Sequence, residues 1–462
     1  MYTELYRMKI PVLISLFLFS LLICNGQGNG LDKGQVGYQP TAENLQNREW
    51  FKDAHFGMFI HWGVSSVLGK EIGWALSGQN ANEYRQNIHK FNPEKFDAAA
   101  VVKLAKDAGM KYITFTTRHH DSFSMFDTRY SNWSIMGTPY GKDVLKMLSD
   151  ECHKQGIRLF CYYSLTDFFR PDYCQGNVKK GAGILGECNW DAYIQFIKNQ
   201  LTEILTNYGP ISGIWFDGHW DQVERIGNDR NGRQLRAWRY DEIYKLIHDL
   251  QPGCMIGNNH HIATFPGEDY QTFERDLPGS NIGGGFSADA KIEEELPLES
   301  SDIIGRSWGF VTNDTINKSA MELVHLLIGS AGVGSNLLLN IGPTPEGEVR
   351  QAQKERLLVI GDWLKVYGET IYGTRKSFMN PADWGVAVEK EDKIYLHIIH
   401  PEKAGSQLYL SKFPYKVNKA YCFETGKRVY FKAGKGTSVI NLPAPGLNPM
   451  AIDNVIVLQI TR

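Results

Sequence analysis

The sequence predicts an α/β fold, a (β/α)₈-like barrel followed by a small C-terminal antiparallel β-sandwich. Two observations predict it. From about residue 50 to about residue 345, segments with helical apolar spacing alternate with short apolar runs, which is the pattern of repeated strand–helix units. After Gly373 the pattern changes to short strand-like runs between Gly, Pro, Asp and Asn turns.

The barrel part of the chain is predicted from its alternating elements. Helices are expected at 97–109, 144–155, 190–208, 240–250 and 322–332, and strands at 57–60, 112–117, 157–163, 211–217, 254–256 and 336–341. These strands are apolar on both faces, as buried parallel strands are. A nucleotide-binding sheet would need a glycine-rich loop after its first strand, whereas Gly283-Gly284-Gly285 lies in a long insertion. Residues 265–315 are irregular, so we expect a degenerate barrel that lacks some helices.

The remaining chain divides into two further parts. Strands are expected at 386–388, 393–399, 406–410, 419–423, 427–431, 438–442 and 455–460, which suits a β-sandwich over residues 374–462. At the other end, Arg7 and Lys9 precede an apolar run from 10 to 24 that is too short to span a bilayer comfortably. We therefore expect a signal peptide at 1–26, a barrel domain at 27–373 and a secreted or periplasmic protein. Lipid attachment at Cys24 is the alternative.

The charge of the chain limits its expected partners, and its cysteines limit the expected metal and redox chemistry. The net charge is −2, with acidic and basic residues interspersed, so neither nucleic acid nor an anionic membrane is an expected partner. Beyond the expected signal peptide, no segment is long and apolar enough to span a membrane. The cysteines show no Cys-x-x-Cys spacing, which gives no zinc or redox signature. In an exported protein, Cys174 and Cys188 are close enough in sequence to close a small disulfide loop.

A cluster of polar and aromatic residues follows the predicted strands. The most informative is Asp217, which ends a short apolar run and is followed directly by Gly218. In a barrel of strand–helix units, the carboxyl ends of the strands carry the chemistry. The same end would receive His61, Trp62, His119, His120, Tyr163, Asn259, His260 and His261, with Glu268, Glu274 and Trp308 from later segments. Aromatic faces and imidazoles around carboxylates suit a sugar-binding pocket, although several of these tryptophans also suit the core.

The carboxylates of this cluster suggest glycoside hydrolysis, which uses two carboxyl groups. Asp217 suits the group that attacks the sugar or activates water, and the acid is then Glu268, Glu274 or Glu299, among which spacing does not choose. His119-His120-Asp121 is also compatible with a metal site. Adjacent strand residues point to opposite faces, however, and no third ligand follows from the spacing, so we expect no metal and no other cofactor.

With these residues assembled, the chain resembles the family 29 α-L-fucosidases from Trp50 to Tyr372. The motifs that carry the resemblance run in order along the chain: 50–63, which ends in Gly57-Met58-Phe59-Ile60-His61-Trp62-Gly63; 111–121, which ends in His119-His120-Asp121; Tyr162-Tyr163-Ser164; Trp215-Phe216-Asp217-Gly218; and Asn336 through Pro343. The resemblance implies a (β/α)₈-like barrel with a β-sandwich, and retaining, metal-free hydrolysis of α-L-fucosides on fucosylated oligosaccharides or glycans.

The resemblance also implies roles for individual residues. Asp217 matches the family's nucleophile, and Glu274 in Thr272-Phe273-Glu274 matches the best-supported acid/base position, with Glu268 and Glu299 as alternatives. The substrate-binding residues implied are His61, Trp74, His119, His120, Tyr163, Trp215, His260 and Trp308. His260 is assigned because the family often carries an arginine where this chain has Asn259-His260-His261. Glu71-Ile72-Gly73-Trp74 departs from the family's usual Glu-Trp pair.

Two other functions remain compatible with the sequence. One is a fucose-binding protein on the same fold that has lost its chemistry, against which the intact Asp217 and several candidate acids argue. The other is a glycosidase for a related sugar such as α-L-galactose, because an apolar pocket rejects an added hydroxyl only modestly. The linkage that is cut, the pairing of the other cysteines and the oligomeric state are not determined by the sequence.

Overall fold

The computed structural model describes residues 32–73, 80–174, 187–222, 235–280, 292–442 and 447–461. The expected signal peptide with Cys24, the glycine cluster at 283–285 and Trp74 lie outside these ranges, so the predictions for them stay predictions. Within the described ranges, no helix has the length and apolar character needed to cross a membrane.

Eight parallel strands form one barrel-like sheet, in the spatial order β5-β4-β3-β2-β1-β8-β7-β6. The strands are β1 (Phe56–Ile60), β2 (Tyr112–Arg118), β3 (Arg158–Ser164), β4 (Gly213–Asp217), β5 (Met255–Asn259), β6 (Gln271–Glu274), β7 (Leu298–Ile303) and β8 (Ser335–Ile341). The helices are α1 (Ala42–Ala54), α2 (Ala81–Arg85), α3 (Ala98–Asp107), α4 (Val144–Gln155), α5 (Trp190–Asn207), α6 (Tyr240–Leu250), α7 (Ala320–Gly332) and α8 (Gln351–Tyr367). The predicted fold class is confirmed.

The barrel is nearly closed, and its irregular part lies where the sequence is irregular. Strands β5 and β6 are the two edges of the sheet. The Ile256 carbonyl accepts hydrogen bonds from the backbone N–H groups of Asp269 and Tyr270, which holds the two edges together at their start. Between β6 and β7, residues 275–280 and 292–297 contain no helix, which agrees with the expected degenerate barrel.

Side chains alternate between two cores along each strand, because successive residues of a strand point to opposite faces. The barrel interior holds an aromatic cluster that includes Phe59, Tyr112, Tyr162 and Trp215. Residues of the other parity, such as Tyr163, face the helices.

Glycines on neighbouring strands make room for the interior rings. A Cβ atom at Gly57 would lie 2.3 Å from the ring of Tyr112, and one at Gly257 would lie 2.3 Å from the ring of Tyr270. Real Cβ atoms do not approach so closely, so any larger residue at either position would displace a ring of the interior core.

The helices begin where the sequence supplies a capping group. Asp97 and Asp143 accept hydrogen bonds from backbone N–H groups in the first turns of α3 and α4, and Ser319 forms a capping box with Glu322 at the start of α7. Gly156 ends α4 in the left-handed conformation. These caps fix the helix ends and hence where each following strand enters the barrel.

Two antiparallel sheets form the C-terminal part of the chain. Their strands are β9 (Arg375–Lys376), β10 (Gly385–Lys390), β11 (Lys393–Ile398), β12 (Gln407–Ser411), β13 (Lys416–Cys422), β14 (Tyr430–Lys432), β15 (Thr437–Asn441) and β16 (Val455–Thr461), with one short helix, α9 (Pro401–Ala404). The sheet orders are β13-β16-β11-β10-β9 and β12-β15-β14. Leu396, Leu408, Ile440 and Leu458 pack between the sheets, as in a sandwich.

The described cysteines form one disulfide and four buried free thiols. Cys174 and Cys188 form a disulfide, as their spacing allowed. Cys152, Cys161, Cys254 and Cys422 are buried as free thiols, and burial raises their pKa values, so they are unreactive core residues.

Candidate active site

A polar and aromatic cavity lies at the carboxyl ends of the barrel strands, where a barrel carries its chemistry. The residues that line it come from five strands and from the loops after β1, β2 and β7: Phe59, His61, Ile72, His119, His120, Tyr162, Trp215, Asp217, Asn259, Glu274 and Trp308. Seven of them were predicted as site residues, so most of the predicted site comes together.

Asp217 ends β4 with its carboxylate held by three donors. The Tyr162 hydroxyl donates to Oδ2 at 2.7 Å, and the backbone N–H of Gly218 donates to Oδ1 at 2.7 Å. The Asn259 amide nitrogen lies 3.4 Å from Oδ1. Gly218 has φ 96°, a conformation that favours glycine and turns the chain directly after the carboxylate. Such a fixed, partly exposed carboxylate suits a nucleophile.

Glu274 ends β6 and faces Asp217 across the cavity. Asn259 Nδ2 donates to its Oε2 at 2.8 Å, and His261 Nε2 lies 3.6 Å from the same oxygen. Burial raises the pKa of Glu274, but the neighbouring His261 ring and the hydrogen bond from Asn259 outweigh it, so the pKa lies below its ordinary value. A general acid that works near neutral pH needs a raised pKa, and this arrangement gives Glu274 a lowered one.

One amide joins the two carboxylates. Asn259 Nδ2 reaches Oδ1 of Asp217 at 3.4 Å and Oε2 of Glu274 at 2.8 Å. The separation of these two oxygens cannot exceed the sum of the two distances. This bound concerns one oxygen of each group, and it is compatible with the ~5–5.5 Å between the carboxyl groups of retaining glycosidases.

Three buried histidines line one side of the cavity. His61 Nδ1 lies 2.7 Å from Asn340 Oδ1, and His120 Nδ1 lies 2.6 Å from Ser164 Oγ. The His119 ring stacks on the Tyr162 ring at a centroid distance of 5.0 Å. Burial lowers the pKa of all three imidazoles, that of His61 to about 3, so they are neutral near neutral pH.

Two tryptophans complete the walls, and each is anchored by a carboxylate. Trp215 stacks on Tyr162 and donates from its indole N–H to Glu299 Oε1 at 2.9 Å. The backbone N–H of Trp308 donates to Glu71 Oε2 at 2.8 Å. Glu71, whose role was open from the sequence, thus ties the loop after β1 to the loop that carries Trp308.

Two predicted pocket residues lie elsewhere. Tyr163 is on the outward face of β3, where its hydroxyl donates to Gln200 Oε1 at 2.8 Å; the pocket tyrosine is Tyr162. His260 points away from the cavity, and its Nε2 pairs with Glu268 Oε2 at 2.9 Å. The assignment of these two side chains to the pocket was wrong because adjacent strand residues face opposite sides.

The two alternative acids are also placed away from the cavity. Glu268 is buried against His260 and the Tyr244 hydroxyl. Glu299 lies in the barrel interior, where it accepts hydrogen bonds from Tyr112 and Trp215. Glu274 is thus the one glutamate among the described residues that line the cavity.

Three side chains of the same cavity could together ligate a metal ion. His119, His120 and Asp217 offer three ligand atoms within 4.8 Å of one another. Asp121, which the sequence placed beside the histidines, instead accepts hydrogen bonds from the Tyr84 hydroxyl and the Phe123 backbone. The expectation that the chain uses no metal stays a prediction.

The sequence interpretation missed Tyr162 and assigned no function to Asn259 or His261, which contact the two carboxylates. No local pattern pointed to Tyr162, whose inward orientation follows from its lateral pairing with Trp215, two residues before Asp217. None pointed to His261 either, because it follows the end of β5 in a left-handed conformation, φ 64°, that strand alternation does not predict.

Comparisons with known proteins agree with this geometry. A sequence model of the α-L-fucosidase family matches residues 28–369. The human plasma α-L-fucosidase is 28% identical over 414 residues, which cover 81% of each chain, and an α-L-fucosidase of Dictyostelium discoideum is 26% identical over 388 residues, which cover 78% of each. The solved structure of α-L-fucosidase isoenzyme 1 from Paenibacillus thiaminolyticus superposes with a TM-score of 0.77 at 28% identity, covering 91% of this chain and 100% of that one.

Proposed function

Because the chain belongs to the α-L-fucosidase family of glycoside hydrolases, we propose that it is a retaining exo-α-L-fucosidase with Asp217 as nucleophile and Glu274 as acid/base. The observation that carries this proposal is the single Asn259 amide that contacts both carboxylates. This shared contact makes the two carboxylates close neighbours, which supports direct attack by one of them on the sugar instead of attack through water.

The reaction proceeds in two steps. An Asp217 oxygen attacks the anomeric carbon, the bond from that carbon to the leaving oxygen breaks, and Glu274 gives its proton to that oxygen. Water then attacks the same carbon, Glu274 takes a proton from the water, and the bond to Asp217 breaks. Two inversions release L-fucose with its configuration retained.

The substrate is a terminal α-linked L-fucose on an oligosaccharide or glycan. Phe59, Tyr162 and Trp215, which line the cavity, also belong to the packed barrel interior, so the cavity is closed below. A closed floor admits a sugar from the end of a chain and not from its middle. The histidines supply hydrogen-bonding groups for hydroxyls, and Trp308 supplies an apolar face.

Export of the enzyme is a further part of the proposal. It is supported by the sequence alone, through the basic residues and the short apolar run before residue 27. Sequencing the N-terminus of protein recovered outside the cytoplasm is expected to begin at Gln27. A mature N-terminus at a lipid-modified Cys24 would instead establish a lipoprotein.

The function is tested by hydrolysis of 4-nitrophenyl α-L-fucoside, followed by NMR to observe which anomer of fucose is released first. We expect the α-anomer. Asp217→Asn should lower turnover by several orders of magnitude, because the amide cannot form the glycosyl ester. Near-normal activity of this variant, or initial release of the β-anomer, would show that the mechanism is wrong.

The acid/base is tested separately from the nucleophile. Glu274→Gln, treated with 2-fluoro-fucosyl fluoride, should accumulate a covalent adduct on the peptide that contains Asp217, detectable by mass spectrometry. The fluoride leaves without a proton, whereas the second step needs a base. Glu268→Gln is the matched control and should release its adduct faster, because its Glu274 can still act as the base. Binding of fucose without turnover by the folded wild type would favour a binding protein.

A further inference from the structure

The hydrogen bonds behind the three cavity histidines determine which ring nitrogen of each carries the proton. We propose that Ser164, Asn340 and the His120 backbone amide fix these tautomers, so that His61 and His120 accept hydrogen bonds from the bound sugar and His119 donates one. The identity of the sugar rests on the proposed function, whereas the proton positions do not.

The position of the proton on His120 follows from the hydrogen bonds of Ser164. Its hydroxyl lies 2.6 Å from the Thr166 carbonyl and 2.6 Å from His120 Nδ1. A carbonyl oxygen can only accept, and serine has one hydroxyl hydrogen, which it therefore donates to Thr166. His120 Nδ1 must then carry the hydrogen that Ser164 accepts, and in a neutral ring Nε2 carries none.

The position of the proton on His61 follows from the orientation of the Asn340 amide. The Asn340 amide nitrogen donates to the Trp308 carbonyl at 2.7 Å, which fixes the orientation of the amide. Its Oδ1 therefore faces His61 Nδ1 at 2.7 Å and can only accept. His61 Nδ1 carries the hydrogen, and Nε2 is left as an acceptor for the ligand.

His119 has the opposite arrangement. Its Nδ1 accepts the backbone N–H of His120 at 2.9 Å. A backbone N–H can only donate, so Nδ1 is unprotonated and the hydrogen of the neutral ring is on Nε2. Gly73 packs against this edge of the ring, where a Cβ atom would clash with His119 Nδ1.

The neutral form of the rings is supported by their surroundings. Burial lowers the pKa of each ring, as described above. His120 Nε2 is 3.5 Å from Asp217 Oδ2, longer than the usual N–H···O hydrogen bond, and Tyr162 already donates to that oxygen. His119 Nε2–H is also a poor metal ligand, because an imidazole binds a metal through an unprotonated nitrogen.

The three tautomers determine where a ligand must donate and where it must accept a hydrogen bond. A bound sugar must offer two hydroxyl hydrogens, one to His61 and one to His120, and one oxygen lone pair to His119. A hydroxyl can rotate to do either, but the fixed tautomers assign each hydroxyl one direction. An analogue with a group that cannot donate at the first two positions leaves a buried acceptor unpaired.

Neutron diffraction from crystals of the protein exchanged into D₂O near neutral pH tests the proposal directly. We expect deuterium on Nδ1 of His61 and of His120 and on Nε2 of His119, with the opposite nitrogens bare. Deuterium on the other nitrogen, or on both nitrogens, of any of these rings would overturn the assignment for that ring. This proton map in a protein without fucosidase activity would support the tautomers and refute the proposed function.

Ser164→Ala tests whether the tautomer matters for binding. Without the serine acceptor, His120 is expected to move its proton to Nε2, towards Asp217, and KM for 4-nitrophenyl α-L-fucoside should rise roughly three- to tenfold, the worth of one hydrogen bond. Ser66→Ala, which removes a buried hydroxyl that donates to the Gly63 carbonyl, is the matched control. An unchanged KM with a moved proton would refute the role in binding, and the wild-type map decides the tautomers if Ser164→Ala does not fold.

Discussion

The hydroxyl of Tyr162 donates a hydrogen bond of 2.7 Å to Oδ2 of Asp217. Burial, together with the neighbouring carboxylate, raises the pKa of Tyr162 well above its ordinary value, so the hydroxyl keeps its hydrogen near neutral pH. The tyrosine ring is fixed by stacking between His119 and Trp215. Tyr162 therefore holds the nucleophile in one orientation.

Tyr162→Phe is expected to lower kcat/KM by roughly ten- to a hundredfold, the worth of a hydrogen bond to a charged group. The ring and its stacking are kept, so only the orientation of Asp217 is lost. Tyr163→Phe is the matched control: it removes a hydroxyl from the neighbouring residue, bound to Gln200 outside the barrel, and should change stability without changing kcat/KM. Equal kinetic losses in the two variants would contradict the assignment.

The sequence predicted Tyr163 in the pocket, whereas Tyr162 lines it in the structure. This difference shows which part of a site a sequence predicts well. The motifs located the ends of β1 to β5, because a buried parallel strand followed by polar residues is a strong local pattern, whereas Glu274 at the end of β6 was assigned through the family resemblance. Which of two adjacent residues faces inward depends on the register between strands, here the pairing of Tyr162 with Trp215. That register is set by tertiary contacts and not by the local pattern.

The prediction of the strands was limited in a similar way. The six strands that are apolar on both faces were predicted within a few residues, but β6 and β7 were not. In β7 the run Leu298-Glu299-Ser300-Ser301-Asp302-Ile303 is mostly polar and yet largely buried, because Glu299 accepts hydrogen bonds from Tyr112 and Trp215 inside the barrel. Partners so distant in sequence leave no local signal, so a polar interior strand resembles a loop.

His261 is expected to set the pH range of activity through Glu274. The proximity and charge of its imidazole are the main causes that lower the pKa of Glu274 against the effect of burial. The general acid works only when protonated, so kcat/KM falls as the pH rises through this pKa. His261→Gln should raise the pKa and move the basic limb of the profile to higher pH.

The profile is best measured with an oligosaccharide substrate, whose poor leaving group needs the acid, between about pH 4 and pH 8. His89→Gln, at an exposed histidine, controls for the loss of an imidazole elsewhere. A basic limb at the same pH in His261→Gln and the wild type would show that His261 does not control Glu274.

Glu71 is expected to act on binding through Trp308. Its carboxylate accepts the backbone N–H groups of Ile72, Trp308 and Gly309. Glu71→Gln keeps the size but replaces one acceptor oxygen with an amide group that repels an N–H. We expect KM for 4-nitrophenyl α-L-fucoside to rise roughly three- to tenfold with kcat less affected, since hydrogen bonds that position a wall residue are lost. A fall in kcat alone would instead place Glu71 in the chemical step.

Glu299 is expected to make the stability of the protein depend on pH. Burial in the barrel interior raises its pKa to about 7, although the hydrogen bonds from Tyr112 and Trp215 lower it. The unfolded chain loses this proton near the ordinary value of ~4.3. Between these two values the folded state holds a proton that the unfolded state has released, so the free energy of unfolding falls as the pH rises and levels off above about 7.

Glu299→Gln removes this titration while it keeps the size of the side chain and one acceptor oxygen. Relative to the wild type, the variant should therefore gain stability as the pH is raised from 5 to 8, by at most roughly 3 kcal/mol, because each unit of pKa shift corresponds to ~1.4 kcal/mol. Melting temperatures measured across that range test the expectation, with the exposed Glu355→Gln as control. Wild-type and Glu299→Gln melting curves that move in parallel with pH would mean that Glu299 titrates alike in the folded and unfolded chains, and that the interior of the barrel tolerates its charge.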